Sequence, residues 1–207
     1  MAVQDRDPTS LVILLLAAGE GSRFGGIKQL ADIAGEPMVR RVARMALNMG
    51  LPIITVTGAH AESVEAALVD LPLIITRFED WHLGMGNSIA AGVRELTRRF
   101  PQASSTLIYL ADQPSLDPTI IDAMIRRHRQ APDRLLATEG NGVLGPPVLF
   151  PRDCFDALMA LSGSRGARTL LEQHASRVET FIAHDVIDVD TPDDLRRVHE
   201  RLADKSK

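Results

Sequence analysis

A glycine-rich segment with two basic residues follows the first apolar run of the chain. The run is "LVILLLAA", and the sequence continues "GEGSRFGGIKQL". Glycines allow tight turns in which successive backbone N–H groups converge on an anion. Arginine binds phosphate oxygens through a planar fork of donors, and lysine supplies a point charge; Arg23 and Lys28 are placed to do so. The segment therefore predicts a polyphosphate site.

Two common phosphate-binding patterns do not fit this segment. In the pattern G-x-x-x-x-G-K-[ST], Gly21 and Gly26 have the right spacing, but Ile27 stands where the lysine should follow. In the dinucleotide pattern G-x-G-x-x-G, Phe24 stands where the third glycine should be, and only a looser form ending at Gly25 fits. A plain tight turn between two elements is the alternative.

Carboxylates follow two other segments. Asp112 ends the run "STLIYLAD", and the proline two residues later stops a strand there. Asp188 and Asp190 alternate in "VIDVDTP", so in an extended segment both side chains point the same way. Hard carboxylate oxygens suit Mg²⁺, which makes Asp112 and Asp190 candidate ligands. The alternatives are a helix cap for Asp112 and membership of the Thr191 cap region for Asp190.

The segment "EDWHLGMGNSIAAGV" contains further candidate contacts for a nucleotide. Gly86 allows close backbone approach, and a helix start attracts anions. Asn87 or Ser88 caps that helix or bonds a ribose or base. Asp80 precedes Trp81, which stacks on a base or belongs to the core. The pattern leaves these alternatives open.

Apolar runs and amphipathic segments alternate along the chain. Strands are predicted at Leu11–Ala18, Pro52–Gly58, Leu71–Arg77 and Ser105–Asp112. Helices are predicted from Met38 to Met49, from Ile89 to Phe100, after Asp117 and after Thr191, and the segment after Ile33 is also assigned to a helix. This alternation predicts a three-layer α/β/α sandwich with a Rossmann-like, mostly parallel sheet, in which ligands bind beyond the carboxyl ends of the strands.

The region 137–181 is less regular and is expected to form the acceptor side of the site. It contains a predicted strand at "PPVLF" and a short helix near 153–161.

Composition restricts the class of protein. The 207 residues suit one domain, 1–207, with flexible ends at 1–10 and 203–207. A net charge of −4 gives no global positive field for nucleic acid or an anionic membrane. Cys154 is the only cysteine and is interpreted as packing filler, which indicates a reducing, cytoplasmic setting. The six histidines show no metal-ligand spacing; His128 and His199 are predicted at the surface, and none is assigned a catalytic role.

A family resemblance covers the chain from about Leu11 to Leu195. "LAAGEGSRFGGIKQL" resembles the L-A-[AG]-G-x-[SG]-x-R-[MF]-G-x-x-K signature of sugar-nucleotide and molybdenum-cofactor nucleotidyltransferases. "GMGNSIAAGV", "LADQPSL", "GPPVLF", "SGSRGARTLL" and "DVIDVDTPDDL" resemble motifs of the MobA-like nucleotidyltransferase family, in the same order. They are most similar to its molybdopterin cytidylyltransferase branch.

The resemblance implies a fold of the nucleotide-diphospho-sugar transferase type and a magnesium-dependent transfer reaction. A nucleoside monophosphate would pass from CTP, or from GTP, to a phosphorylated acceptor such as molybdopterin, with release of pyrophosphate. The A-A-G form at Ala18 is associated with CTP. A molybdoenzyme or its chaperone is a further implied partner.

The resemblance also implies roles for individual residues. The catalytic residues would be Arg23, Lys28 and Asp112, with the metal on Asp112 and Asp190. The nucleotide would contact Leu16, Ala17, Ala18, Gly19, Gly21, Ser22, Arg23, Lys28, Asp80, Gly86, Asn87 and Ser88. Arg165 and Arg168 would hold an acceptor phosphate, unless they form a solvated basic face.

One departure from the family pattern leaves the acceptor open. The molybdopterin branch has G-H-P-x-L-F where this chain has "GPPVLF", so Pro146 replaces a histidine. Two other functions remain as alternatives. An NAD(P)-dependent oxidoreductase would need an acidic residue about 20 residues past the loop, and Asp32 lies too close. A non-catalytic carrier of molybdenum cofactor would bind nucleotide without releasing pyrophosphate.

Overall fold

The computed structural model describes residues 11–140, 142–183 and 186–204. The main sheet has seven strands: β1 (Leu11–Ala17), β4 (Ile53–Thr57), β5 (Ile74–Arg77), β6 (Ser105–Leu110), β7 (Leu135–Gly140), β8 (Val143–Pro151) and β9 (Val178–Ile182). A short hairpin consists of β2 (Asp32–Ile33) and β3 (Glu36–Pro37). The helices are α1 (Met38–Leu47), α2 (Ala61–Ala66), α3 (Met85–Arg99), α4 (Pro118–Gln130), α5 (Phe155–Met159), α6 (Arg168–Gln173) and α7 (Pro192–Asp204).

The strand order is β5-β4-β1-β6-β8-β7-β9, and the strands are parallel except β8, which runs antiparallel to both neighbours. Every residue of β1 is buried. Its odd-numbered side chains pack against α1, α2 and α4, and its even-numbered ones pack against α3, α5 and α6. Because successive strand residues face opposite sides, one apolar run fills both cores. The predicted three-layer, mostly parallel architecture is confirmed.

The register of the central strands brings the loop after β1 to the same edge as Asp112. Leu16 pairs with Leu110 of β6, and Ala17 pairs with Thr57 of β4. The carboxyl ends of the three adjacent parallel strands β4, β1 and β6 therefore lie at the same edge of the sheet. This is the edge at which open α/β sheets bind ligands.

Several elements differ from the sequence prediction. The segment after Ile33 is not helical, because Ala34 and Gly35 adopt φ of 54° and 88° and turn the chain into β3. Strands β7 and β9 and helices α2 and α6 were not predicted. The strand predicted at Leu71–Arg77 begins only at Ile74, since the preceding residues form backbone turns. Helices α2 and α6 are short and β9 is half-exposed, so their periodic signal is weak. Strand β7 is mostly buried, but its apolar run has only three residues, 135–137.

Of three further side-chain predictions, two agree with the structure and one does not. Asp117 caps α4, as predicted, by accepting from the backbone N–H of Thr119 at 2.9 Å. His128 is only 7% exposed, so its predicted surface position was wrong. Cys154 is buried, as the packing interpretation expected, and burial raises the pKa of its thiol to about 11.

The chain ends are described in part. Helix α7 continues through Asp204, and the rest of the predicted flexible ends, 1–10 and 205–207, lies outside the described residues. Within the described ranges, the helices are too short or too polar to cross a bilayer.

Candidate functional site

A cleft of about 440 Å³ opens at the carboxyl edge of β1 and β6. It is lined by the end of β1 and the following loop, by the start of α3, and by the acidic segments after β6 and before α7. The lining residues are Leu16, Ala17, Ala18, Gly19, Glu20, Arg23, Lys28, Gln29, Trp81, His82, Gly84, Met85, Ser88, Leu110, Ala111, Asp112, Asp188 and Asp190.

Lys28 lies at the centre of the charged part of this cleft. Its Nζ donates to Oδ2 of Asp112 and to Oδ1 of Asp190, each at 2.8 Å. The Lys28 side chain is 10% exposed, and the two carboxylates are 21% and 35% exposed. Arg23, which is largely exposed, donates to the other oxygen of Asp190 at 2.7 Å. Two carboxylates from distant parts of the sequence therefore meet on one ammonium group.

The glycine-rich loop holds Lys28 in this position. Gln29, which follows it in a short 3-10 turn, donates from Nε2 to the carbonyl oxygen of Gly19 at 2.5 Å. Gly21 has φ of +69°, and a Cβ there would lie 2.9 Å from Cγ of Lys28. A side chain at position 21 would thus strain the backbone and displace the lysine stem. The packing against Lys28 therefore requires a glycine at position 21.

The electrostatics keep Lys28 charged. Burial lowers the pKa of Lys28, but the charges of Asp112 and Asp190 and their hydrogen bonds outweigh it, so that pKa is raised above 10.5. Asp188 behaves differently. Burial, and then the charge of Asp112, raise the pKa of its carboxyl above 3.8, against the hydrogen bond that Gln113 donates at 2.9 Å.

Helix α7 fixes Asp190 through its cap. The Oγ1 of Thr191 accepts from the N–H of Asp194, and the Asp194 carboxylate accepts from the N–H groups of Thr191 and Asp190. The N–H of Val189 donates to the carbonyl oxygen of Asp112 at 2.9 Å, which holds this segment against the end of β6. The backbone of Asp190 thus belongs to the cap region, as one interpretation expected, while its side chain lines the cleft; its role as a metal ligand stays a prediction.

The donor chemistry of the cleft fits a hard divalent cation. Oδ1 of Asp112 is buried with no hydrogen-bond partner among the described residues. Asp190 contacts the same ammonium group, also at 2.8 Å, so the two carboxylates lie close to one position. In the described ranges, no group of three or more His, Cys, Asp or Glu is arranged to hold a metal. Two carboxylates suit Mg²⁺, which completes its shell with water and phosphate oxygens.

The predicted nucleotide contacts fall into two groups. Those that line the cleft are Leu16, Ala17, Ala18, Gly19, Arg23, Lys28 and Ser88. Those outside its lining are Gly21, Ser22, Asp80, Gly86 and Asn87. Trp81, which the sequence left between base stacking and the core, lines the cleft and also packs on the core cluster.

Gly86 and Asn87 have a packing role instead. The N–H of Gly86 donates to the carbonyl oxygen of Gly163, and Oδ1 of Asn87 accepts from the N–H of Gly163, both at 2.8 Å. A Cβ at Gly86 would lie 2.7 Å from the carbonyl oxygen of Ser162. These two residues bind the loop before α6 to the start of α3.

Among the residues that line the cleft, sequence reasoning did not single out Glu20, Gln29, His82, Met85, Leu110 or Ala111. Glu20 and Gln29 lie inside the quoted loop, so their position was a usable signal. His82 and Met85 lie inside the quoted segment before α3, so their position was a usable signal as well.

A second pocket of about 200 Å³ adjoins the cleft, and we call it the apolar pocket. It is lined by Met85, Ile89, Ile108, Leu110, Leu144, Gly145, Pro146, Val148, Ser164, Arg165, Ala167, Arg168 and Leu171. Met85 and Leu110 also line the cleft. The predicted acceptor residues Arg165 and Arg168 lie at its rim, and both pair with Glu172, at 2.8 and 3.4 Å.

Comparison with known proteins places the chain in a family. Residues 13–178 match the model of the MobA-like NTP transferase domain. Purine catabolism protein PucB of Bacillus subtilis (strain 168) is 27% identical, over 93% of this chain and 98% of that protein. Nicotine blue oxidoreductase of Paenarthrobacter nicotinovorans is 30% identical, over 94% and 98%. The structure of Rv0371c from Mycobacterium tuberculosis H37Rv in complex with manganese has a TM-score of 0.73 and 25% identity, over 92% and 98%.

The matched region contains β1, the glycine-rich loop, Lys28 and Asp112, and it ends before the segment that carries Asp190. The resemblance noted in the sequence is confirmed at the level of the family, and the fold is of the nucleotide-diphospho-sugar transferase type. With its Rossmann-like sheet and its charged cleft at the carboxyl edge, the chain belongs to the family of MobA-like NTP transferase domains.

Proposed function

We propose that this protein transfers a nucleoside monophosphate from a nucleoside triphosphate, preferentially CTP, to a phosphorylated small molecule and releases pyrophosphate. One observation carries the proposal: Lys28 Nζ lies 2.8 Å from both Asp112 and Asp190, beside a glycine-rich loop. A cation and two carboxylates this close together support a site for a polyphosphate and a divalent ion. The family membership supports nucleotidyl transfer as the reaction class.

The end of β1 is proposed to bind the nucleoside. Leu16, Ala18 and Ser88 line this part of the cleft, and Ala18 is 5% exposed. Gly58 packs between Ala18 and Trp81, since a Cβ there would lie 2.9 and 2.7 Å from their Cβ atoms. The Ala18 methyl group therefore has little room to move, and a base is proposed to bind beside it. A pyrimidine fits such a site better than a purine.

Lys28 and Arg23 are proposed to hold the triphosphate. Asp112 and Asp190 would hold Mg²⁺, which would neutralise phosphate oxygens and make the α-phosphorus more electrophilic. Lys28 would pair with phosphate oxygens in place of its carboxylate partners, and the exposed Arg23 would bind the same phosphates.

In the transfer step, an acceptor phosphate oxygen forms a bond to the α-phosphorus. The bond between the α-phosphorus and its bridging oxygen to the β-phosphorus breaks, and that oxygen leaves with pyrophosphate. Lys28 and Arg23 stabilise the negative charge that grows on the leaving group. Positioning of the two phosphates supplies the remaining acceleration.

Molybdopterin is the acceptor that the resemblance implies, with Arg165 and Arg168 as its phosphate contacts. Both arginines lie at the rim of the apolar pocket and are partly neutralised by Glu172. Pro146 lines the same pocket where the molybdopterin branch has a histidine. The experiment therefore uses a panel of small phosphomonoesters as acceptors.

The test is pyrophosphate release from CTP and from GTP with Mg²⁺ and a panel of phosphorylated acceptors. We expect CTP to be used in preference, and Asp112→Asn to lower turnover by at least about 100-fold while the protein stays folded. Asp122→Asn, an exposed change on α4, is the matched control and should leave turnover unchanged. Equal turnover of the two variants would contradict the metal assignment.

An NAD(P)-dependent oxidoreductase is the second candidate. It is favoured by the 30% identical relative, whose name is nicotine blue oxidoreductase. The two functions are separated by measuring the melting temperature with NADPH and with CTP–Mg²⁺, because a ligand that binds the native state raises it. Stabilisation by NADPH alone would favour this candidate over nucleotidyl transfer.

A further inference from the structure

The apolar pocket continues the cleft on the side away from the glycine-rich loop. Leu110 lines both spaces, and as the last residue of β6 it lies two residues before Asp112. Met85 lines both from the start of α3. A ligand in the apolar pocket therefore reaches the reacting phosphates without crossing any element.

The deep wall of the apolar pocket is hydrocarbon. It consists of side chains from β6, β8, α3 and α6: Ile89, Ile108, Leu144, Val148 and Leu171. Two carbonyl groups that belong to the wall already accept hydrogen bonds from outside it. The oxygen of Gly145 accepts from Oγ1 of Thr138 at 2.8 Å, and the oxygen of Pro146 accepts from Nε2 of Gln113 at 3.1 Å.

This wall does not match the edge of a pterin. A pterin carries several ring N–H and carbonyl groups, and burying such groups without partners costs about 1–3 kcal/mol each in proteins. The volume of about 200 Å³ is somewhat larger than an apolar cavity of about 150 Å³ that holds benzene. One ring or a branched aliphatic group fills it.

The charge at the rim agrees with an anionic ligand whose body is apolar. Arg165 and Arg168 share Glu172, so this group of three side chains has a net charge of +1. The charged groups stand at the mouth of the pocket, while its depth is hydrocarbon. Arg165 and Arg168 therefore attract the anionic group of a ligand whose apolar body lies in the pocket, and the pocket adjoins the cleft at Met85 and Leu110, the two residues that line both spaces.

We propose that the apolar pocket binds a hydrocarbon body, a single ring or a branched aliphatic group, of an acceptor whose phosphate is directed past Leu110 to Asp112. The proposal rests on the proposed function for the direction of the phosphate, and it narrows the acceptor to phosphomonoesters of apolar alcohols.

The experiment measures binding by calorimetry of three phosphomonoesters to the full chain. The probes are benzyl phosphate, sn-glycerol 3-phosphate and the phosphate ester of 6-hydroxymethylpterin. Burial of a phenyl ring should make benzyl phosphate bind at least about 10-fold more tightly than glycerol phosphate. Binding of the pterin ester more tightly than benzyl phosphate, or equal affinity for the benzyl and glycerol esters, would overturn the proposal.

A pair of matched variants locates the binding. Ala167 is partly buried in the pocket wall, and Ala167→Leu fills the space. We expect about a 10-fold loss of benzyl phosphate affinity in this variant and unchanged affinity for glycerol phosphate. Ala160→Leu, at an exposed position after α5, should change neither of these two affinities. If Ala167→Leu does not fold, Leu144→Phe on β8 is used, because Leu144 is only partly buried.

The outcomes separate this proposal from the proposed function. If Ala167→Leu weakens the binding of benzyl phosphate and Ala160→Leu does not, the apolar pocket is the binding site. This conclusion holds even where no nucleotide yields pyrophosphate. If CTP yields pyrophosphate with other acceptors and Ala167→Leu leaves benzyl phosphate binding intact, the proposed function stands and the proposal for the pocket is wrong.

Discussion

Replacing Lys28 with methionine removes the charge at the centre of the cleft and keeps a side chain of similar length. The ammonium group is 2.8 Å from both Asp112 and Asp190, and its side chain is 10% exposed. Removing one partner of a fully buried ion pair costs about 3–5 kcal/mol, and an exposed pair contributes about 0–1 kcal/mol. Because the carboxylates are 21% and 35% exposed, we expect a loss of about 2–3 kcal/mol.

For a protein of this size, that loss corresponds to a fall in melting temperature of about 4–12 °C. The assay is thermal unfolding of the wild type and Lys28→Met in the absence of nucleotide. Arg196→Met is the matched control, because its ion pair with Asp193 is formed by two largely exposed side chains. It should lower the melting temperature by no more than about 2–4 °C.

Addition of Mg²⁺ makes the test specific for the cation position. In the wild type, the Lys28 ammonium group already contacts both carboxylates, so a metal ion that binds them must displace it. In Lys28→Met the carboxylates are unbalanced, so Mg²⁺ should raise the melting temperature of this variant more than that of the wild type. Equal effects of Mg²⁺ on both proteins, or equal stability of Lys28→Met and Arg196→Met, would refute the reasoning.

The sign of the pH dependence follows from the raised pKa of Lys28. Its ion pairs contribute fully below the unfolded-state pKa of about 10.4 and are lost as the pH rises through the higher native value. The stability difference between the wild type and Lys28→Met should therefore be constant from pH 7 to about 10 and disappear above that range.

Three further variants test other parts of the structure. Ala18→Gly should increase the use of GTP relative to CTP, measured as the ratio of kcat/KM for pyrophosphate release, because it removes the methyl group beside the base site. Asp188→Asn should stabilise the ligand-free protein at pH 7, measured by chemical denaturation, because desolvation of the carboxyl raises the pKa of Asp188 and asparagine can still accept from Gln113; the gain should shrink as the pH falls toward 3.8. Glu95→Gln should lower stability by about 0.5 kcal/mol at pH 7, because two arginines hold the pKa of Glu95 at about 2 by hydrogen bonds that solvent screens; chemical denaturation should show this difference vanish as the pH falls from 4.5 to 2.

The local sequence was sufficient for the core strands and the glycine-rich loop. Leu11–Ala17 is apolar at every position, and such a run is stable only between two layers of helices. Gly21 and Lys28 lie seven residues apart, so the packing of one on the other is a local property. Thr191 and Asp194 likewise form a cap that the spacing alone predicts.

The tertiary structure alone decided which charges meet and which predicted contacts reach the cleft. Lys28 is separated from Asp112 by 84 residues and from Asp190 by 162, and the parallel register of β1 and β6 and the bond from Val189 to Asp112 join them. Asn87 has the residue type of a ligand contact, but packing turns it toward Gly163. The type of a residue determines which groups it is able to bind. Sheet register and packing determine the distances between segments that are far apart in the chain, and these distances decide which of those groups it contacts.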